Sequence, residues 1–166
     1  MRLFIGLQPS PGFREALTVL QTRLRAAGVA GQYLAAENLH LTLAFIGEWP
    51  EDVTGLLPPV EEPFELTLSQ AGLFPRAKVL WAGVEPCPAL DVLARSVRDR
   101  LDAAGIPFDR QDFRAHITLA RKPAVPEGLD PACVAVPRAS MTVREVCLYR
   151  SERTAAGMAY TVIGRR

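Results

Sequence analysis

Several features are scarce in this sequence of 166 residues, and each scarcity excludes a class of protein. The 3 cysteines are odd in number and form no CxxC pair, so neither a disulfide framework nor a structural zinc site is expected. No apolar run approaches the roughly 20 residues that a membrane-spanning helix needs. The proline-rich start does not resemble a signal peptide. Together these observations predict a cytoplasmic protein without a membrane segment.

The formal net charge is only +1, which argues against a protein that binds polyanions over its whole surface. The charge is nevertheless uneven along the chain. Residues 1–83 hold 6 Lys or Arg against 8 Asp or Glu, whereas residues 84–166 hold 13 against 10. The basic residues of the second half either form a solvated surface or mark a local site for an anion. The sequence alone leaves both interpretations open.

Histidine is also scarce, with 2 residues in the whole chain. Both open the same phrase, His-(Leu/Ile)-Thr-Leu-Ala, as "HLTLAF" from His40 and "HITLAR" from His116. Alternation along a strand would put His40 and Thr42 on one face, and likewise His116 and Thr118. The apolar residues between them would point into the core. The alanine two residues after each threonine would continue the polar face.

The two phrases belong to an approximate repeat of residues 2–73 and 79–149. Each copy is predicted to form a strand, a helix and two strands. Helical stripes of apolar residues cover 12–27 and 90–104, and a glycine follows each stripe. Further strands are expected at 2–7, 64–70, 140–149 and 158–163, with loops at 50–63 and 122–138. The expected fold is α+β and bilobal, with two similar lobes, pseudo-twofold symmetry and a central cleft. Residues 1–166 form one domain in this interpretation, and the closed repeat favours a monomer.

Two imidazoles facing each other across such a cleft suit the hydrolysis of a phosphodiester. One histidine can take a proton from the attacking water while the other gives a proton to the departing oxygen. The hydroxyls of Thr42 and Thr118 can donate hydrogen bonds to the non-bridging phosphate oxygens. Neither motif contains clustered carboxylates, so no metal site and no cofactor are expected.

The paired motifs resemble those of the 2H phosphoesterase superfamily. "ENLHLTLAFIGE" at 37–48 and "FRAHITLAR" at 113–121 are similar to its RNA 2′,3′-cyclic phosphodiesterase branch, also described as 2′-5′ RNA ligases. The resemblance extends over essentially the whole chain. It implies a bilobal α+β fold and metal-independent opening of a terminal 2′,3′-cyclic phosphate to a 2′-phosphomonoester. The implied partners are RNA ends or nucleotides that carry such a phosphate.

The resemblance also implies roles for individual residues. His40 falls on the proton donor of the family and His116 on its proton acceptor, with Thr42 and Thr118 on its phosphate-binding hydroxyls. Arg121 and Phe45, which follow the two motifs, are expected to contact the ligand. Strict alternation would turn both away from the cleft, so either each strand ends or bulges before them, or the two side chains reach round the edge of the cleft. Phe45 is predicted either to stack on a base of the ligand or to pack in the core.

Two other functions remain open at this point. The same motifs serve 2′-5′ phosphodiesterases and ligases that act on oligonucleotides, and nothing in the motifs separates a cyclic from a linear 2′ ester. A module that binds RNA ends without turnover is the second alternative.

Overall fold

The alternating and periodic segments of the sequence form two helices and nine strands in the computed structural model, which describes residues 1–166. In chain order these are β1 (Arg2–Leu7), α1 (Pro11–Ala26), β2 (Ala30–Tyr33), β3 (Leu41–Glu48), β4 (Phe64–Phe74), β5 (Val79–Val84), α2 (Pro88–Ala103), β6 (His116–Ala124), β7 (Ser140–Val143), β8 (Cys147–Thr154) and β9 (Gly157–Arg165). The predicted α+β class is confirmed.

Both helices end before a glycine, and α1 also begins at a side-chain cap. Ser10 caps α1, because its Oγ accepts a hydrogen bond from the backbone N–H of Phe13 at 3.3 Å. Gly28 and Gly105, which follow the two helices, have φ values of 97° and 70°. Glycine adopts this left-handed region most easily, and the chain can therefore leave each helix at the predicted place.

The sheet has the strand order β7-β4-β5-β6-β3-β1-β8-β9, and β2 pairs with β6 outside this path. Its centre is narrow, because β3 and β6 share only the pair Leu41–Ile117. One set of strands, β6-β5-β4-β7, extends to one side of this pair. The other set, β3-β1-β8-β9, extends to the opposite side.

Each side of the sheet is completed by a strand from the other half of the chain. β8 pairs with β1, and β4 pairs with β5. Leu41 and Ile117 are equivalent positions of the repeat, and a twofold axis would pair equivalent positions in this way. The pairs Phe64–Val143 and Thr67–Ser140 of β4 and β7 agree with such an axis, because it would exchange one pair with the other. The pseudo-twofold relation between two lobes, which these registers support, stays a prediction.

Two parts of the fold differ from the sequence-based expectation. The single strand expected at 140–149 is two strands, since β7 pairs with β4 and β8 pairs with β1. β2 was not predicted, because Ala30–Tyr33 is mostly exposed and carries no apolar alternation. Pairing with β6 alone holds it in the sheet.

The two faces of the sheet have different coverings. On one face, both helices pack their apolar stripes onto a core cluster of 34 buried residues. The other face carries a smaller buried cluster of Phe4, Cys147 and Tyr149. The histidine motifs run between the two, with their apolar residues in the large core. No helix has the length and hydropathy needed to cross a membrane.

Candidate active site

The structure brings the two motifs together at the centre of the sheet. His40 precedes the first residue of β3, and His116 is the first residue of β6. The neighbouring residues Leu41 and Ile117 pair with each other. The apolar residues of both motifs are buried, while the histidines and threonines are partly exposed. The predicted division between core and polar face therefore holds for the histidine, the threonine and the apolar residue between them in each motif.

Both imidazoles are oriented by the same local hydrogen bond. His40 Nδ1 lies 2.7 Å from the backbone oxygen of Asn38, and His116 Nδ1 lies 2.7 Å from that of Arg114. A carbonyl oxygen can only accept, so Nδ1 is the protonated nitrogen of each neutral ring. Nε2 is consequently left to act as a base when the ring is neutral and as an acid when it is charged.

A bulge interrupts each motif strand at the same position of the repeat. The pairing of β1 with β3 passes from Ile5–Ala44 to Gly6–Thr42 and leaves Leu43 without a partner. The pairing of β5 with β6 likewise leaves Leu119 unpaired. An extra residue reverses the alternation of the side chains that follow. This brings Phe45 to the face of Thr42 and Arg121 to the face of Thr118.

The bulges settle the alternative that the sequence left open for Phe45 and Arg121. Both side chains line the same cavity as His40 and Thr42. The prediction for the two alanines was wrong for the same reason. Ala44 and Ala120 do not continue the polar face, because the reversed alternation turns both into the core, where they are 1% and 0% exposed.

The cleft consists of two neighbouring cavities. The His40 compartment has a volume of about 1110 Å³ and the His116 compartment about 640 Å³. Thr42 and Phe45 line both of them and form the wall between. Thr118 lies two residues after His116 and is partly exposed. A third cavity, of about 880 Å³ at the start of α1, holds neither histidine, so we assign the site to the two compartments.

His40 is surrounded by three aromatic side chains. Its ring centroid is 4.6 Å from that of Phe4, 5.6 Å from that of Tyr149 and 5.1 Å from that of Tyr160, which approaches edge-on. Burial among these side chains lowers the pKa of His40 to about 4. The bond to Asn38 opposes the shift, whereas the charges of Arg121 and His116 add to it.

His116 has a more open environment. Phe74 is its only aromatic neighbour, at 5.1 Å between ring centroids and nearly perpendicular. Burial lowers the pKa of His116 as well, and the positive charge of Arg121 lowers it further. Arg121 therefore acts on both imidazoles. An anion bound beside Arg121 would reverse this effect and raise the pKa of both rings.

Asn38 was not among the predicted site residues, although it controls the surroundings of His40. Its Nδ2 donates to the backbone oxygen of Met158 at 2.8 Å, and its Oδ1 accepts from the N–H of Tyr160 at 3.2 Å. Met158 and Tyr160 line the His40 compartment. The asparagine stands two residues before the histidine, in "ENLH", but its partners lie about 120 residues away and could not be read from the sequence.

No group of three or more His, Cys, Asp or Glu side chains is placed to hold a metal ion.

The guanidinium of Arg2 lies over the ring of Phe45, 4.9 Å from the ring centroid. One side of that ring is thereby occupied by a cation, and stacking of a base on Phe45 stays a prediction.

Solved structures share this fold over nearly the whole chain. A crystal structure from Thermus thermophilus superposes with a TM-score of 0.80 at 32% identity, covering 99% of this chain and 96% of the other. Escherichia coli LigT complexed with 3′-AMP gives a TM-score of 0.79 at 30% identity, with coverage of 99% and 96%. The fold is thus that of the LigT-like phosphoesterases.

Sequence relatives give the family. A model of the 2′-5′ RNA ligase superfamily matches residues 9–155. The RNA 2′,3′-cyclic phosphodiesterase of Methanothermobacter thermautotrophicus is 32% identical, over 97% of this chain and 95% of the relative. The protein of the same name from Escherichia coli is 34% identical over 82% and 79%. The chain belongs to the 2′-5′ RNA ligase superfamily, within the 2H phosphoesterases that the motifs resemble.

Proposed function

We propose that this protein hydrolyses the 2′,3′-cyclic phosphodiester at an RNA end to a 2′-phosphomonoester, without a metal ion. One observation carries the proposal. Two histidines, each held through Nδ1 by the carbonyl two residues before it, lie in neighbouring compartments that share Thr42. The relatives that bear the name RNA 2′,3′-cyclic phosphodiesterase support the choice of substrate.

In this mechanism, Nε2 of His116 takes a proton from water as its oxygen attacks phosphorus. The bond from phosphorus to O3′ breaks, and O3′ receives the proton held on Nε2 of His40. Thr42, Thr118 and the cation of Arg121 stabilise the charge that develops on the non-bridging oxygens. His40 must be charged at the start, although its pKa in the free protein is about 4. The negative charge of the substrate supplies the necessary increase in pKa.

A single assay separates the candidate activities. A 2′,3′-cyclic nucleotide is offered in excess EDTA, in parallel with a 2′-5′-linked dinucleotide. We expect turnover of the cyclic substrate to the 2′-phosphate at an undiminished rate. Turnover of the dinucleotide alone would identify a 2′-5′ phosphodiesterase, and binding of either without turnover would identify an RNA-end-binding module. Loss of the rate in EDTA with recovery in Mg²⁺ or Mn²⁺ would refute the metal-independent mechanism.

Variants of the histidines test the roles within that assay. His40→Ala and His116→Ala should each lower kcat by at least ~10²–10⁴-fold, the usual contribution of one general acid or base. A substrate with a much better leaving group at O3′ departs without a proton. It should therefore rescue His40→Ala far more than His116→Ala. Equal rescue, or rescue in the reverse order, would overturn the assignment of acid and base while leaving the pair intact.

A further inference from the structure

The basic residues of the chain are not spread evenly over the surface. Some are paired, as Arg110 is with Asp102 at 2.6 Å and Arg150 is with Glu152 at 2.5 Å. Of the cations without such a partner, five lie on β6, on the segment that leads into it and on the neighbouring β4–β5 hairpin. We call them the basic rim: Arg76, Lys78, Arg114, Arg121 and Lys122. All five are exposed, and none of their side chains forms an ion pair.

The basic rim is free of acidic residues over two segments of chain. Residues 70–84 and 113–126 contain these five cations and no Asp or Glu. The segments are adjacent because β5 pairs with β6, with Val79 opposite Arg121. At the hairpin tip, the N–H of Lys122 donates to the backbone oxygen of Lys78 at 2.9 Å. A concentrated positive field therefore lies along one edge of the cleft, although the whole chain carries only +1.

The rest of the cleft border has a mixed charge. In the lining of the His40 compartment, Glu48 pairs with the N-terminal amine at 3.5 Å, and Glu152 pairs with Arg150. Asp109 and Asp112 line the wall of the His116 compartment beside Phe113. A polyanion that leaves the cleft meets carboxylates on those sides. Arg2 and Arg153 also line the His40 compartment without an ion pair, but they stand among these carboxylates, whereas the basic rim is a run of five unpaired cations with no carboxylate among them.

Two members of the basic rim have an unusual backbone. Lys78 and Lys122 have φ values of 54° and 48°, and they are the only residues other than glycine with positive φ. Glycine and asparagine adopt this region more easily than lysine does. Both positions nevertheless carry an exposed lysine close in sequence to a cleft residue, Lys78 two residues after Arg76 and Lys122 directly after Arg121.

We infer that the basic rim binds the backbone phosphates of a single-stranded RNA whose cyclic end occupies the cleft. The inference rests on the proposed function for the choice of RNA, since the rim continues the phosphate site that Arg121 shares. Arg76 and Arg114 line the His116 compartment, and Arg121 lines the His40 compartment, so the rim begins at the reacting phosphate. An oligonucleotide should therefore bind more tightly than a mononucleotide with the same cyclic end.

The test compares two substrates on two double variants. Lys78→Asn with Lys122→Asn removes two rim charges and retains a residue that accepts positive φ. Arg95→Gln with Arg138→Gln, the matched control, removes two exposed charges outside the basic rim, one on α2 and one in the loop before β7. The substrates are a 2′,3′-cyclic mononucleotide and a hexanucleotide with the same terminus.

The rim variant should leave kcat/KM for the mononucleotide unchanged and raise KM for the hexanucleotide. Two lost contacts to single-stranded phosphates correspond to roughly 25-fold at 0.1 M salt, and to a salt slope smaller by about 1.4. The control should retain both values. An unchanged hexanucleotide KM in the rim variant, or an equal loss in the control, would overturn the inference.

A second measurement keeps the inference separate from the proposed function. Fluorescence anisotropy of a labelled hexanucleotide ending in a 2′-phosphate reports binding without turnover. If neither cyclic substrate is hydrolysed, the proposed function fails. A selective loss of anisotropy-detected affinity in the rim variant still supports the basic rim, and equal affinity in all three proteins refutes it.

Discussion

At the residue scale, the two threonines are the simplest part of the site to test. Thr42→Val and Thr118→Val keep a β-branched side chain and delete one hydroxyl each. Loss of a preorganised donor to a developing oxyanion costs on the order of 10²–10³ in rate, so kcat for the cyclic substrate should fall by that factor. Thr161→Val, on an exposed position of β9, is the matched control and should keep the wild-type rate. Normal kcat in both cleft variants would make the hydroxyls structural.

The residues themselves could be chosen from the sequence because the motif occurs twice. One exposed histidine on a strand carries little information, whereas two in the same phrase, with no others, indicate a shared task. Local alternation then gave the correct face for His40, Thr42, His116 and Thr118. It failed at Ala44, two residues beyond Thr42, because nothing in "LAF" indicates the bulge at Leu43.

At the scale of the elements, the side chain of Asn38 hydrogen-bonds the turn before β3 to β9. Asn38→Ala removes the bonds to Met158 and Tyr160, and Asn38→Asp removes only the one in which the amide donates. Tyr160 packs edge-on against His40, so a displaced β9 should misplace the imidazole. Misplacement of a catalytic group by about 1 Å can cost up to ~10²-fold, and we expect kcat to fall in the order wild type, Asp, Ala.

The readout for Asn38 has to distinguish positioning from stability. A positioning role changes kcat more than KM and shifts the pKa of His40 in an NMR titration. A purely structural role lowers the melting temperature and leaves the His40 titration in place. Asn38→Ala with an unchanged titration and unchanged kcat would exclude the positioning role.

Element boundaries were predictable where a periodic pattern was long enough. Both helices carry four or more apolar residues on one stripe and end at a glycine, which is local information. β2 lacks such a pattern and exists only because β6 offers a free edge. The division of 140–149 into β7 and β8 is also non-local, since the two strands have different partners.

At the scale of the whole molecule, the fold gathers His40, His116 and Arg121 into one cleft, and the pH dependence of catalysis should reflect it. The reaction needs one charged and one neutral imidazole. Lowered pKa values mean that the charged form is lost at a lower pH than usual. The optimum of kcat/KM, which reports the free enzyme, should therefore lie below pH 6.5, the ordinary pKa of histidine.

Bound substrate should shift this dependence in the opposite direction. Its phosphate offsets the charge of Arg121, so the optimum of kcat should lie at a higher pH than that of kcat/KM. Arg121→Gln should raise both histidine pKa values and move the kcat/KM optimum upwards. Identical optima for the two parameters, together with an unshifted Arg121→Gln profile, would contradict the electrostatic role of Arg121.

The exchange of strands between the halves also has a consequence for the growing polypeptide on the ribosome. β1 is made first, yet its neighbour β8 is among the last strands made, since Arg2 pairs with Ser151. Until then β1 has an open edge that other nascent chains could join. The sheet of the N-terminal half therefore cannot be completed while that half emerges. The time for which the edge of β1 stays exposed depends on how quickly translation reaches β8.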